Sequence, residues 1–579
     1  MKNKIIVLII GCLLLMFNCK SKNELINQTK NKKKPNVLLL FSDQHNKKTM
    51  GFENHPDVIT PNLDKLSTES VVFDRAYATR GVCVPSRMSL MTGLYPRTLG
   101  LMNNNEETSV TDQATSLASI FKYNGYKTYT FGKRHLKGGG DKGWDVKKEV
   151  HAEEGDNGNY LSWVTTQGYQ SEFSYDWAAE FGKGPIGSND ANANIPIADL
   201  GTRISKLPFG YTMEAYTALE TINMIDQQKN SDTPFFCFSS FYRPHQPYTP
   251  VKKFMDMYDV SEWGKGTKLK SGIKMPESFY QPTKDLPPLL QFQRNGGNKV
   301  WNMDKAFEDE QLWRDYIGAY YALVTEVDHY VGEILQALDK ANITEETIII
   351  YTTDHGDFVG NHGMVEKAAA GHNIYEDILN IPLMIRIPGK TLQGKHTAEL
   401  VTLVDIIPTL IDVLDLKIPD LEYNFEGVSL AKLLLEQKPL NRDYIVSESW
   451  FQATVIGKNE KLGIMKSNPV NPRRDYREFG DMFFDRTHDP LELNNGINDE
   501  KNKAKIAQFK IEAQSLKKGD SILITGPTTG ALETVVGNLR VDDLDVEIAS
   551  KGSEVTFELD TIIRSSDKLY KMIPSEFEN

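Results

Sequence analysis

Short apolar runs alternate with helix-compatible stretches from residue 36 to residue 414, and this alternation limits the possible fold more than any other feature of the chain. Asn36-Val37-Leu38-Leu39-Leu40-Phe41 is almost continuously apolar. That is the pattern of a strand buried on both faces, as in a parallel sheet. Val71–Phe73, Tyr126–Phe131, Pro234–Ser240, Thr347–Thr352 and Leu383–Pro388 read as further strands. Between them lie a short helix after Thr60-Pro61, where a Thr caps and a Pro starts the first turn, and a helix over Ser116–Asn124 with Thr115 as cap and Gly125 as stop. Tyr211–Gln228, Leu312–Leu338 and Val404–Leu414 are also expected as helices. In Leu312–Leu338 the residues Ile317, Tyr320, Val324, Val327, Val331, Ile334, Leu335 and Leu338 fall on one face, a stripe made for packing against a core. The expectation is an α/β fold, a mostly parallel sheet flanked by helices.

Several of these strands hand over directly to residues capable of chemistry. Asp43, Lys133, His245 and Asp354 each lie just beyond the carboxyl end of a separate expected strand, the edge at which open α/β sheets bind ligands. Asp43, Gln44, Asp354 and His355 together offer two carboxylates, an amide oxygen and an imidazole. An oxygen-dominated set of this kind suits calcium or magnesium better than zinc. Two carboxylates neutralise a divalent ion and leave the site able to attract an anion.

The chain has 579 residues, 40% of them hydrophobic and 10% aromatic, the profile of a globular protein with room for one large domain and a smaller one. Its formal net charge of −12 argues against nucleic acid or an anionic membrane surface as a general partner. Four cysteines are present: Cys12, Cys19, Cys83 and Cys237. Lys2 and Lys4 precede an apolar run from Ile5 to Phe17, which is short for a membrane span and reads as an export signal. Cys19 directly after that run resembles a bacterial lipoprotein cleavage site, where it carries the lipid. Asn18 departs from the usual small residue there, and ordinary secretion is the alternative. Either way the expected location is outside the cytoplasm, in the periplasm or tethered at the outer membrane. Once the signal, Cys19 and Cys83 are set aside, only Cys237 remains, in a strand-like run, so no disulfide framework is expected.

Cys83-Val84-Pro85-Ser86-Arg87 opens a helix-compatible run that ends at Met91-Thr92-Gly93. A Pro in a first helical turn is tolerated because its missing N–H would be unpaired there, and the free N–H groups at that end favour an anion. The string Cys-x-Pro-Ser-Arg-x-x-x-x-Thr-Gly, with Gly132-Lys133-Arg134-His135-Leu136, Pro244-His245-Gln246-Pro247, Asp354-His355-Gly356 and His362-Gly363-x-x-x-Lys367, resembles the type I sulfatases of the alkaline-phosphatase-like superfamily. The resemblance covers about residues 34 to 495. It implies that a separate maturation enzyme oxidises Cys83 to formylglycine, and that Asp43, Gln44, Cys83 as formylglycine, Asp354 and His355 hold calcium. It further implies that Arg87 braces the formylglycine and the metal carboxylates, and that Lys133 and Lys367 bind sulfate oxygens. His135 then bonds a formylglycine hydroxyl, and His245, which also contacts the substrate, protonates the leaving alcohol. Gln44 stands where Asp is frequent in the family, His355 where Asn is frequent, and Arg134 where an aromatic residue is common, a replacement that extends positive charge toward a polyanion.

The resemblance implies a sulfuric ester hydrolase acting on a sulfated carbohydrate, and export favours a polysaccharide or its oligosaccharides, of marine algal type such as ulvan. The alternatives are a phosphonate or phosphodiester hydrolase of the same superfamily and a non-catalytic glycan-binding protein. The expected organisation is a signal over 1–19, a flexible tether over 20–34 and a catalytic domain over 35–438. A C-terminal α+β subdomain with an antiparallel sheet follows over 439–518, then an extension of possible β structure over 519–579. In the subdomain, Ser447–Ile456, Leu462–Lys466 and Met482–Phe484 are the expected strands and Lys503–Leu516 a helix. Phe484-Asp485-Arg486 through Asn494 resembles the family's closing motif. Lys137–Lys206 reads as loops. Trp144, Trp163 and Trp177 within it are candidates for stacking on sugar rings, and Arg473, Arg474 and Arg477 for gripping a neighbouring anion.

Overall fold

A computed structural model describes residues 34–150, 159–258, 273–295, 309–367, 374–449, 452–465, 479–499, 502, 516–526, 530–541, 544–549, 555–557 and 568–572. The expected signal, most of the tether, the Lys503–Leu516 helix except its last residue, and the Arg473, Arg474 and Arg477 cluster lie outside the described residues.

Eight strands form the central sheet: β1 (Asn36–Asp43), β2 (Val71–Phe73), β3 (Lys127–Gly132), β4 (Val146–Glu149), β5 (Phe235–Pro244), β6 (Thr347–Thr353), β7 (Leu383–Arg386) and β8 (Lys395–Thr397). Their spatial order is β8-β2-β7-β6-β1-β5-β3-β4. β1 lies parallel between β5 and β6, and β5 parallel to β3. Only β7 opposes its neighbours, β2 and β6. The α/β fold with a mostly parallel sheet is therefore the one the alternation demanded.

β1 shows why its sequence is apolar throughout. Val37, Leu39 and Phe41 enter a core with Val84, Met88 and Leu117, while Leu38 and Leu40 enter a second core with Ile225, Val331 and Ile334. Every side chain of a central strand meets a helix layer, so alternation with polar residues is excluded. One layer contains helices α1 (Pro61–Glu69), α6 (Met213–Gln228) and α7 (Glu310–Ala341). The other contains α2 (Cys83–Thr92), α3 (Leu117–Tyr123) and α8 (Ile406–Leu414). The α3 cap is Ser116, whose hydroxyl accepts from the Ser119 N–H, rather than Thr115.

The stretch 137–206 departs from the loop expectation. It contributes β4 and two helices, α4 (Asn159–Thr166) and α5 (Gln170–Phe181). Their apolar residues Tyr160, Val164, Phe173 and Trp177 are buried in one core with Tyr216 and Tyr242. Gly, Asn and Ser scattered between short helices hide a 3.6-residue period that tertiary packing enforces. The three tryptophans are packing residues. Trp144 stacks on Phe236 and Phe238, Trp177 on Phe181, and Trp163 on Tyr211.

Beyond residue 439 an antiparallel sheet forms from β9 (Tyr444–Ser449), β10 (Gln452–Gly457), β11 (Glu460–Met465) and β12 (Met482–Asp485), in that order. β9 and β10 are two strands where one was expected, with Ser449 paired to Gln452; the sequence between them carries no Gly, Pro or Asn to mark a break. Farther on, the described residues include small antiparallel sheets around a separate apolar cluster with Ile522, Ile524 and Val536. Among the described residues no helix is long and apolar enough to cross a membrane.

Candidate active site

The four chemistry-bearing strand ends meet because β1, β3, β5 and β6 run parallel and neighbour one another. Asp43 is the last residue of β1, and Lys133, His245 and Asp354 each follow their strand by one. α2 starts at Cys83 on the same edge, with Val82 as its cap in extended conformation. Ligand atoms of Asp43, Cys83, Asp354 and His355, all buried, lie within 4.8 Å of one another. The Cys83 Sγ is 3.3 Å from His355 Nε2 and 3.9 Å from Asp43 Oδ1.

Arg87, one turn along α2, holds the carboxylates. Its Nε donates to Asp354 Oδ2 at 2.7 Å and an Nη to Asp43 Oδ2 at 2.8 Å. Its other Nη donates to the Lys133 carbonyl and to Ser240 Oγ. All three charged side chains are 0% exposed. A buried cation bridging two buried anions is stable only when this geometry is complete. Lys133 Nζ adds a second cation 2.8 Å from Asp43 Oδ2 and sits 4.6 Å from the Tyr242 ring centroid. Burial alone would raise the Asp43 pKa, but Lys133, His245, Arg87 and His355 outweigh it and hold the carboxyl well below its ordinary range. The Cys83 thiol moves the other way. Burial, then the Asp43 charge, push it up to about 12, so an unmodified thiol here is a poor nucleophile at neutral pH.

Two glycines permit this approach. Gly132 has φ +90°, and a Cβ there would stand 1.9 Å from the Ser240 carbonyl oxygen. A Cβ on Gly356 would meet the Asp377 carbonyl oxygen at 1.9 Å. The Gly of Gly-Lys-x-His-Leu and the Gly of Asp-His-Gly are thus both demanded by backbone contact.

His245 and Lys367 form the opposite wall. His245 Nδ1 is 2.7 Å from the Gln246 carbonyl oxygen and its Nε2 is 3.3 Å from Lys367 Nζ. Burial, then the charges of Lys133 and Lys367, hold His245 well below the usual histidine range. Lys367 also donates to Gln44 Oε1 at 2.8 Å and pairs with Glu366 at 2.9 Å. Gln44 is pinned from its other side: its Nε2 donates to Asp357 Oδ2 at 2.6 Å and to Gln246 Oε1 at 2.9 Å. His135 is buried beside Lys133, with φ +50°. Arg134 points away from a substrate role, since Asp141 and Glu149 both pair with it. The charge it was expected to extend toward a polyanion is consumed locally.

Three contributors escaped the sequence reading. Asp357 accepts from Tyr316, Tyr248 and Gln44 and from the Val359 N–H. Ser86 Oγ donates to the Asp354 carbonyl, and Ser240 accepts from Arg87. Asp357 is visible in Asp354-His355-Gly356-Asp357, but its partners come from a helix and a loop that sequence spacing does not link to it.

The chain matches the family model described as sulfatase over residues 35–416, and it belongs to the sulfatase family. A second model, described as N-sulphoglucosamine sulphohydrolase, C-terminal, matches residues 360–519. Among similar proteins, an arylsulfatase of Clostridium perfringens is 28% identical over 500 residues, 82% of this chain and 92% of its own. An ulvan-active sulfatase of Formosa agariphila is 28% identical over 501 residues, 85% and 82% of the two chains. Among solved structures, the phosphonate monoester hydrolase of Agrobacterium radiobacter aligns with a TM-score of 0.65 at 24% identity, covering 81% of this chain and 93% of that one. A 2-O GAG sulfatase aligns with a TM-score of 0.58 at 22% identity, covering 82% and 90%. At those identities the structures speak for the shared alkaline-phosphatase-like fold alone. The protein is a sulfuric ester hydrolase.

Proposed function

We propose that the protein is an exported, formylglycine- and calcium-dependent sulfatase that desulfates a sulfated polysaccharide or its oligosaccharides, of the ulvan type. The observation that carries this reading is the buried quartet Asp43, Cys83, Asp354 and His355 clasped by Arg87 and facing Lys133, Lys367 and His245. Export, with Cys19 as a lipid tether, and the division at 438 and 518 rest on the sequence pattern alone. The glycan class rests on export and on the likeness to the ulvan-active relative.

The donor chemistry fits the two groups. Asp43, residue 83, Asp354 and His355 would hold calcium, with Gln44 as fifth donor through the amide oxygen that here accepts from Lys367. Calcium there supplies charge that acidifies a bound hydroxyl and offsets the negative sulfate oxygens. Residue 83 as hydrated formylglycine supplies a nucleophile that a buried thiol does not.

The remaining work belongs to the chain. Lys133 and Lys367 bind sulfate oxygens from two sides, and His135 bonds a hydroxyl of residue 83. Arg87 aims both metal carboxylates and helps to keep Asp43 ionised. His245 gives a proton from Nε2 to the leaving alcohol oxygen. Its ring is held neutral first by burial and then by the charges of Lys133 and Lys367. A sulfate ester bound between the two lysines offsets the second of these causes and so favours the protonated ring.

Protein co-produced with a maturation enzyme is compared with protein made without it. The tryptic peptide containing residue 83 should be lighter in the first, and only that preparation should release sulfate from ulvan oligosaccharides. An unmodified peptide in fully active protein would sink the formylglycine reading. Preference for an aryl phosphonate over an aryl sulfate would sink the sulfate reading, and sulfate release from glycosaminoglycan but not from ulvan oligosaccharides the algal one.

A further inference from the structure

Arg243 is the penultimate residue of β5, two residues before His245, and the proposed chemistry makes no use of it. Its residue is 5% exposed. One Nη donates to the carbonyl oxygens of His245, at 2.9 Å, and of Pro247. The other donates to Thr249 Oγ1 at 2.9 Å. The Arg243 backbone N–H donates to Glu214 Oε1 on α6 at 3.0 Å.

Arg243 lines a small pocket together with Asp176, Thr212, Glu214 and Glu326 among others. Glu326 on α7 accepts from Thr212 Oγ1 at 2.6 Å. The Arg243 charge lowers the cost of burying Glu214, Glu326 and Asp176. Arg243 thus connects the two long helices of one layer to the His245 turn.

That turn has a specific task. The carbonyl of Gln246 faces His245 Nδ1 at 2.7 Å. An Nδ1–H donated there leaves Nε2 as the nitrogen that takes up and releases the working proton. The ring and the carbonyl that sets its tautomer are both carried on residues 245–247. Arg243 grips that segment by the carbonyls on either side of Gln246. A planar fork of donors can hold two carbonyls and a hydroxyl at once, which a lysine ammonium on a flexible stem does not reproduce.

We propose that Arg243, anchored by Glu214, is a positioning residue for the leaving-group proton donor: it holds the 245–247 turn so that His245 Nε2 meets the leaving oxygen. This rests on the reading of His245 given above.

The test is a series of aryl sulfates from 4-nitrophenyl to phenyl sulfate, assayed with matured wild type, Arg243→Lys, Thr249→Val and His245→Ala. A poor leaving group needs the proton more than a good one does. Losing the donor's alignment therefore steepens the dependence of kcat on leaving-group pKa, whereas general structural damage lowers every ester alike. For Arg243→Lys, the fall in kcat on phenyl sulfate should exceed that on 4-nitrophenyl sulfate by about tenfold, part of the 10²- to 10⁴-fold range typical of proton transfer. KM should stay within about twofold if only transition-state contacts are lost. Thr249→Val, which removes one acceptor, should show the same steepening to a smaller degree, and it carries the comparison should Arg243→Lys fail to fold. Equal loss on all esters in both variants, or no loss, while His245→Ala steepens the series, overturns the role of Arg243. An unchanged slope in His245→Ala overturns the reading of His245, and the proposal with it.

Discussion

Arg87 illustrates how much a single side chain carries here. It is fully buried and spends its guanidinium on Asp43, Asp354, Ser240 and the Lys133 carbonyl. Arg87→Met keeps the volume but leaves two buried carboxylates with one cation fewer. Breaking a buried pair from one side costs about 3–5 kcal/mol, so urea unfolding should show a loss of that order together with abolished turnover. A loss under about 1 kcal/mol, the range of exposed pairs, would mean water reaches the cluster. Gly132→Ala tests the backbone contact beside Lys133. Its φ of +90° and the 1.9 Å approach to the Ser240 carbonyl predict about 1–3 kcal/mol of strain and weakened sulfate binding, measured as a raised KM. Cys83, Lys133, His245 and Lys367 were legible because each sits in a short motif at a strand or helix end. The fate of Arg134 was not, because Asp141 and Glu149 reach it only through the fold.

At the scale of elements, strands aim the chemistry and helices hold the strands. α7 buries Val327, Val331, Ile334 and Leu338 against the β1 and β6 face with Leu38, Leu40 and Ile349. Ile334→Ala leaves a cavity in that layer and should cost about 2–5 kcal/mol, read by denaturant midpoint, with KM unchanged because the side chain packs in the apolar layer under the sheet. A changed KM would reveal that α7 transmits packing to the Asp357 and Tyr316 contacts. The small C-terminal sheet is joined to the catalytic part by buried charges. Lys461 on β11 and Arg486 after β12 both pair with Glu376, at 3.0 and 2.8 Å. Glu492 of the same closing motif accepts from the Glu376 N–H at 2.8 Å. This gives the Phe484–Asn494 motif a physical reason. It fastens the sheet to the turn that follows the Lys367 segment. The long helix was readable because its apolar stripe is uninterrupted. α4 and α5 were not, because short helices among glycines are decided by the aromatic core they enter.

Across the whole molecule, buried carboxyl groups set the response to pH. Burial, opposed by hydrogen bonds from Ser205 and Lys206, raises Asp176 from 3.8 to about 7. Between those values the folded protein keeps a proton that the unfolded chain has released, so unfolding liberates a proton and rising pH costs stability. Glu326, pushed up to about 8 by burial and by Glu214, acts in the same direction. Thermal unfolding from pH 4 to 7 should therefore show a decline attributable to Asp176 that Asp176→Asn lessens. An identical slope in the variant would mean that Asp176 is ionised in the fold. Read alone, the amino-acid order determined the α/β class, the carboxyl-edge placement of Asp43, Lys133, His245 and Asp354, and the family motif around Cys83. Strand period, strand-end position and motif spacing are local properties of a chain. Only the tertiary structure decided that Asp357 would be held by Tyr316, Tyr248 and Gln44, that Arg134 would be neutralised, that the tryptophans would pack, and that Arg243 would grip the His245 turn. Those outcomes depend on which distant segments share a low-dielectric interior, where a charge must find its partner or not be buried at all.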